Sequence, residues 1–165
     1  MKKDDKTNVM RILAQAKIDY KPYFYGDGSV LNGAEVAKAL GKEPACVFKT
    51  LVTVGRSGDH YVFMILVLAE LDLKKAASAA GEKSVEMIKQ KDLLPLTGYV
   101  HGGCSPIGMK KPFRTFIDES AAGMETIFFS AGRIGAQVEM DPKDLAVLEK
   151  ASFCNLISVA NPSAL

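Results

Sequence analysis

Val47–Val54 reads VFKTLVTV, Tyr61–Leu68 reads YVFMILVL, and between them stands Gly55-Arg-Ser-Gly58. Both runs are rich in β-branched and aromatic residues, and two glycines bracket the connection. This is the pattern of a β-hairpin. Neither strand alternates cleanly between apolar and polar residues. Both faces are therefore expected to be covered, by helices or by a curled sheet.

Shorter elements extend on either side. Thr7 is a candidate helix N-cap, and Val9, Ile12, Leu13 and Ala16 follow at three- and four-residue steps. Met1–Lys6 is a charged tail expected to fray. Tyr20–Tyr25 (YKPYFY) reads as a strand that Pro22 confines to a sheet edge. Gly26–Gly33 is a turn-rich loop, and Ala34–Leu40 is a short helix stopped by Gly41. Asp72 caps a helix through Ala80, which Gly81 ends, and Glu86–Leu94 reads as another short helix. Phe113–Asp118, Thr126–Ser130 and Ala136–Met140 are further strands. Asp141-Pro142 opens a last helix to about Ala151, and Phe153–Val159 is a candidate closing strand.

No repeat, linker or low-complexity block divides the chain, so residues 1–165 are read as a single domain. Hairpins mix with short helices without regular βαβ alternation. The expected class is mixed α/β (α+β), with a largely antiparallel, barrel-like sheet surrounded by short helices.

Composition narrows the function. Apolar residues make up 48% and charged residues 24%, enough for a real core. A net charge of +2 is far from the basic excess of a protein that holds nucleic acid by bulk charge, so any RNA contact must be local. The longest apolar run, Tyr61–Ala69, is about half the roughly 20 residues of a membrane-spanning helix. No secretory h-region follows MKKDDKTN, and a cytoplasmic protein is expected. Three cysteines without CxxC spacing suggest neither a disulfide framework nor a zinc knuckle. The two histidines, His60 and His101, lie far apart in sequence, so no metal site and no cofactor is expected.

Two features carry chemistry. Lys49 lies mid-strand among apolar residues, where lysine is depleted. It either snorkels from a strand end or stands as a cation at a pocket mouth, held for an anion such as a phosphate. The loop Gly102-Gly-Cys-Ser-Pro-Ile-Gly108 can turn tightly and present backbone N–H groups to a developing oxyanion. It is not a phosphate-binding GxxxxGK[ST] loop. Cys104 lacks an evident base and orienting group, Ser105 lacks a GxSxG context, and Cys46 and Cys154 read as small buried apolar residues. Ser130-Ala-Gly-Arg-Ile-Gly135 is a glycine-bearing turn that contributes Ser130 and Arg133 if it faces a pocket.

VFKTLV (Val47–Val52), TGYVHGGCSPIGMKK (Thr97–Lys111) and FFSAGRIGAQVEM (Phe128–Met140) together resemble the YbaK/EbsC family of aminoacyl-tRNA deacylases. NVMRILAQAKIDY (Asn8–Tyr20) and ELDLKKAASAAG (Glu70–Gly81) are also similar to that family. The resemblance implies a barrel-like mixed sheet shared with the editing insertion of bacterial prolyl-tRNA synthetases. It implies trans-editing hydrolysis of mischarged tRNA, in the YbaK branch Cys-tRNA(Pro), with the substrate's own thiol as nucleophile. Lys49 matches the family's essential lysine, which holds the terminal nucleotide. Gly102 and Gly103 match the loop that polarises the ester, and Ser130 and Tyr25 match residues at the substrate. Ser105, Pro106 and Arg133 join the candidate substrate contacts through their motifs. The chain departs from the pattern twice: Asn32 stands where an aromatic residue is expected, and Gln137 where an acid is expected. The implied partners are the acceptor end of tRNA(Pro) and prolyl-tRNA synthetase, with neither membrane nor DNA. Two other readings stay open: a deacylase for Ala-tRNA(Pro) or another mischarged tRNA that uses activated water, and a non-catalytic module that binds an acceptor end or a synthetase.

Overall fold

The β2–β3 hairpin organises the chain in a computed structural model that describes residues 5–158. In chain order the elements begin with α1 (Asn8–Gln15), β1 (Lys21–Phe24), α2 (Gly33–Leu40), β2 (Phe48–Gly55), β3 (His60–Leu66) and α3 (Leu73–Ala80). They continue with β4 (Val85–Met87), α4 (Gln90–Thr97), β5 (Arg114–Asp118), β6 (Ile127–Arg133), β7 (Ala136–Met140), α5 (Pro142–Glu149) and β8 (Ser152–Cys154). The tail residues Met1–Asp4 and Val159 of the expected last strand lie outside the described residues.

The strands form two sheets. One is antiparallel in the order β1-β7-β6. The other runs β4-β2-β3-β5-β8, with β4, β2 and β3 antiparallel and β5 and β8 added in parallel. Among the described residues a single parallel bridge, Val47 to Phe128, joins the two sheets, which meet at a seam rather than through a continuous ladder. Pro22 sits on the edge strand β1, where its missing N–H breaks no interior ladder.

The core lies between the sheets and the helices. Phe48, Phe63 and Phe129 are fully buried, and Phe63 stacks on Phe116 with ring centroids 5.3 Å apart. Helix α1 is capped by Thr7, whose hydroxyl accepts from the N–H of Met10 at 3.3 Å, and it buries Val9, Met10 and Leu13. Asp72 and Asp141 cap α3 and α5 as expected. Buried Asp118 accepts from Ser120 and from the N–H of Leu156, which ties the C-terminal segment to the sheet.

The structure corrects three readings. Glu86–Leu94 is not one helix. Val85–Met87 pairs with the open edge of β2, and the helix begins only at Gln90. It then passes through Pro95, and its last turn is held by Thr97 Oγ1 donating to the Leu93 carbonyl at 2.7 Å. Ser130–Gly135 is not wholly a turn: β6 continues to Arg133 across a bulge, and only Ile134-Gly135 connects it to β7. Cys46 and Cys154 are only partly buried. Among the described residues, no helix is long and apolar enough to cross a membrane.

Candidate active site

A cavity of about 370 Å³ opens at the seam between the two sheets. β2 supplies Lys49, Thr50 and Leu51 to its wall. Ser130 of β6 and Gln137 of β7 come from the other sheet, Tyr25 follows β1, and Asn32 precedes α2. His101, Gly102 and Cys104 bring the glycine loop to its rim. A larger cavity, about 560 Å³, lies elsewhere beside β4 and α4 and contains neither Lys49 nor the loop.

Lys49 is half-buried and forms no hydrogen bond or ion pair among the described residues. Burial pushes its pKa down, while the negative charge of Glu70 opposes the shift. An unpaired, partly desolvated ammonium is costly unless it is kept for an anion.

The two adjacent glycines do different work. Gly102 adopts φ +88°, a left-handed conformation that favours glycine, and it borders the cavity. A Cβ on Gly103 would lie 3.0 Å from the backbone nitrogen of Ile134, so glycine lets the loop pack against the β6–β7 hairpin. The N–H of Gly103 is already donated to the carbonyl of Val100 at 3.0 Å. Gly103 therefore shapes the loop, whereas the N–H of Gly102 donates to no acceptor among the described residues.

Of the remaining candidates, Tyr25, Asn32, Ser130 and Gln137 border the cavity with Lys49 and Gly102. Burial raises the pKa of Tyr25, and Gln137's side-chain amide opposes that shift by hydrogen bonding. Ser130 Oγ accepts from the N–H of Gly132 at 3.2 Å. Asn32 is used structurally. Its side chain accepts from the N–H of Glu35 and its own N–H donates to Glu35 Oε1, both at 2.9 Å, a complete capping box for α2.

Three candidates lie away from the cavity. Ser105 is fully buried, and its hydroxyl accepts from the N–H of Ile107 inside the loop. Pro106 faces a separate small cavity beside Glu149. Arg133 is exposed, with its guanidinium 5.7 Å from the Phe24 ring and a hydrogen bond to the carbonyl of Asp5. None of these three side chains lines the cavity that holds Lys49.

His101, at the head of the glycine loop, also borders the cavity, and so does Thr50, which the sequence reading did not foresee. Thr50 had one available signal, a hydroxyl within an apolar strand next to Lys49. Cys104 also borders the cavity, yet burial pushes its thiol up to about 12, so it stays protonated and a poor nucleophile near neutrality. Among the described residues, no group of three or more His, Cys, Asp or Glu side chains comes together to hold a metal ion.

Residues 29–148 match the family model described as the aminoacyl-tRNA editing domain. The chain belongs to that family. A curated relative from Enterococcus faecalis is 46% identical over 156 residues, 94% of this chain and 95% of the relative. It bears the provisional name Cys-tRNA(Pro)/Cys-tRNA(Cys) deacylase EbsC. A solved structure described as a provisional trans-editing enzyme for prolyl tRNA synthetase matches the editing domain with a TM-score of 0.76 and 26% identity, covering 91% of this chain and 96% of that one. A hypothetical protein, APE2540, matches with a TM-score of 0.84 at 21% identity over 91% of this chain and 99% of its own, which shows the fold.

Proposed function

We propose that this editing domain is a trans-editing aminoacyl-tRNA deacylase that removes cysteine from tRNA(Pro), with residues 1–165 acting as one unit. Family membership and the 46% identical relative support the deacylase activity. The observation that carries the site is Lys49: a half-buried cation with no hydrogen-bond or ion-pair partner among the described residues, in one cavity with the glycine loop.

In this reading Lys49 takes a phosphate oxygen of the terminal nucleotide. The N–H of Gly102 donates to the ester oxygen as negative charge builds on it. The substrate's thiol sulfur attacks the ester carbonyl carbon, and the bond from that carbon to the ribose oxygen breaks. The thiol proton ends on the ribose oxygen, which leaves as the free tRNA hydroxyl. The cyclic thioester so formed then takes up water to give cysteine. The enzyme's contribution is orientation and charge stabilisation, and holding an internal nucleophile in line supplies a large effective concentration.

A net charge of +2 suits a protein that meets one single-stranded acceptor end rather than a whole tRNA body. Choice of tRNA(Pro) then falls to a complex with prolyl-tRNA synthetase, in the cytoplasm, where tRNA is charged. The test is hydrolysis of Cys-tRNA(Pro) and Ala-tRNA(Pro) by the purified chain, with and without the synthetase. Faster release of cysteine, sharpened by the synthetase, supports the reading. Preferential release of alanine would move the assignment to a water-using deacylase, and binding without release to a non-catalytic module.

A further inference from the structure

Two buried polar atoms have no hydrogen-bond partner among the described residues, Thr50 Oγ1 and Gln137 Oε1, and both residues border the active-site cavity. They come from different sheets, so one local irregularity does not explain both. Gln137 is 5% exposed, and no donor among the described residues reaches its carbonyl oxygen. A buried acceptor without a donor is destabilising, and such groups are rare in folded proteins.

Resting on the deacylase reading above, we propose that Gln137 Oε1 is the acceptor for the α-ammonium group of the aminoacyl ester. A carboxamide oxygen only accepts, so its missing partner is a donor. The aminoacyl end offers the ammonium, a ribose hydroxyl and a thiol. The ammonium forms the strongest bond to a neutral oxygen because it is charged. It is also the group that Lys49 repels, so it requires an acceptor on a wall that Lys49 does not occupy, and Gln137 stands on β7 of the other sheet. A neutral amide does this without burying a lone negative charge in the cavity wall. Thr50 offers a hydroxyl that both donates and accepts, so it selects less between ligand groups.

The inference is tested by comparing cleavage of Cys-tRNA(Pro) with that of the same tRNA carrying 3-mercaptopropionate, which keeps the thiol and ester but lacks the amino group. Each rate is taken relative to spontaneous hydrolysis, because the ammonium also activates the ester. The unaltered chain should prefer the cysteinyl ester by at least tenfold. Gln137→Leu should lose most of that preference by slowing only the cysteinyl ester, and Gln137→Glu, which keeps an acceptor, should retain it. Gln137→Met serves the same comparison if the leucine variant fails to fold. Equal slowing of both esters in the folded variant, or no preference in the unaltered chain, overturns the inference alone. No cleavage of Cys-tRNA(Pro) by the unaltered chain overturns the deacylase reading and this inference with it.

Discussion

The backbone N–H of Gly103 donates to the carbonyl oxygen of Val100 at 3.0 Å, so the paired glycines of the loop are not equivalent. Gly102 keeps a left-handed φ at the cavity rim, while Gly103 is pressed against the backbone of Arg133 and Ile134. Gly103→Ala should therefore lower both the melting temperature and the rate, because its Cβ meets backbone that cannot step aside. Gly102→Ala meets the side chain of Val30 and a strained φ, at a cost of about 1 kcal/mol. Its main effect should be on turnover. Thermal melts beside single-turnover rates separate the two, and identical profiles would contradict the division of roles.

Lys49→Ala should leave the fold intact and reduce deacylation by at least tens- to hundred-fold, corresponding to about 2–3 kcal/mol of transition-state binding. Because burial disfavours the ammonium, the variant should be no less stable than the unaltered chain. Circular dichroism checks the fold and a deacylation time course checks the rate. Near-normal turnover would remove Lys49 from the mechanism.

Cys104→Ala should keep most of the activity, since the buried thiol is protonated near neutrality. Its folded pKa, about 12, lies above the ordinary 9.0. The stability tied to that proton is complete below pH 9 and is lost as pH rises toward 12. Urea unfolding at pH 8, 9.5 and 10.5 should show stability falling, with a shallower fall in Cys104→Ala. A covalent adduct of substrate on Cys104 would instead make it the nucleophile.

Glu149 is half-buried beneath the loop, and burial raises its carboxyl from 4.5 to about 6. Its proton-linked stability is complete below pH 4.5 and lost as pH rises through 6. At pH 7.5 the folded state therefore carries an unfavourable charge. Glu149→Gln should gain about 1 kcal/mol there, allowing for the exposed part of the side chain, and nothing at pH 4. Unfolding midpoints at both pH values decide it.

Most elements were legible in the sequence because their signals are local. Thr7, Asp72 and Asp141 cap their helices within three residues, and the β2–β3 hairpin announces itself by composition. Glu86–Leu94 was not legible, because Val85–Met87 becomes a strand only through the free edge of β2, about thirty residues back in the chain. The parallel addition of β8 to β5 is likewise a tertiary choice. At the site, Lys49 stood out as a cation in an apolar strand. Motif position alone could not show that Ser105 turns inward to Ile107, that Asn32 is used by Glu35, or that Gln137 is left with a bare oxygen. Each depends on which partner the fold brings within hydrogen-bond reach.

Attack by the substrate's own thiol makes cleavage of Cys-tRNA(Pro) differ sharply from that of Ser-tRNA(Pro) in single-turnover rates. Serine is nearly isosteric, but its hydroxyl is essentially un-ionised at neutral pH, whereas a thiol with a pKa near 8.5 supplies some thiolate. Cysteine should be released at least a hundredfold faster than serine, with a cyclic thioester trapped on the way. Comparable rates for the two esters would contradict it and assign the attack to water.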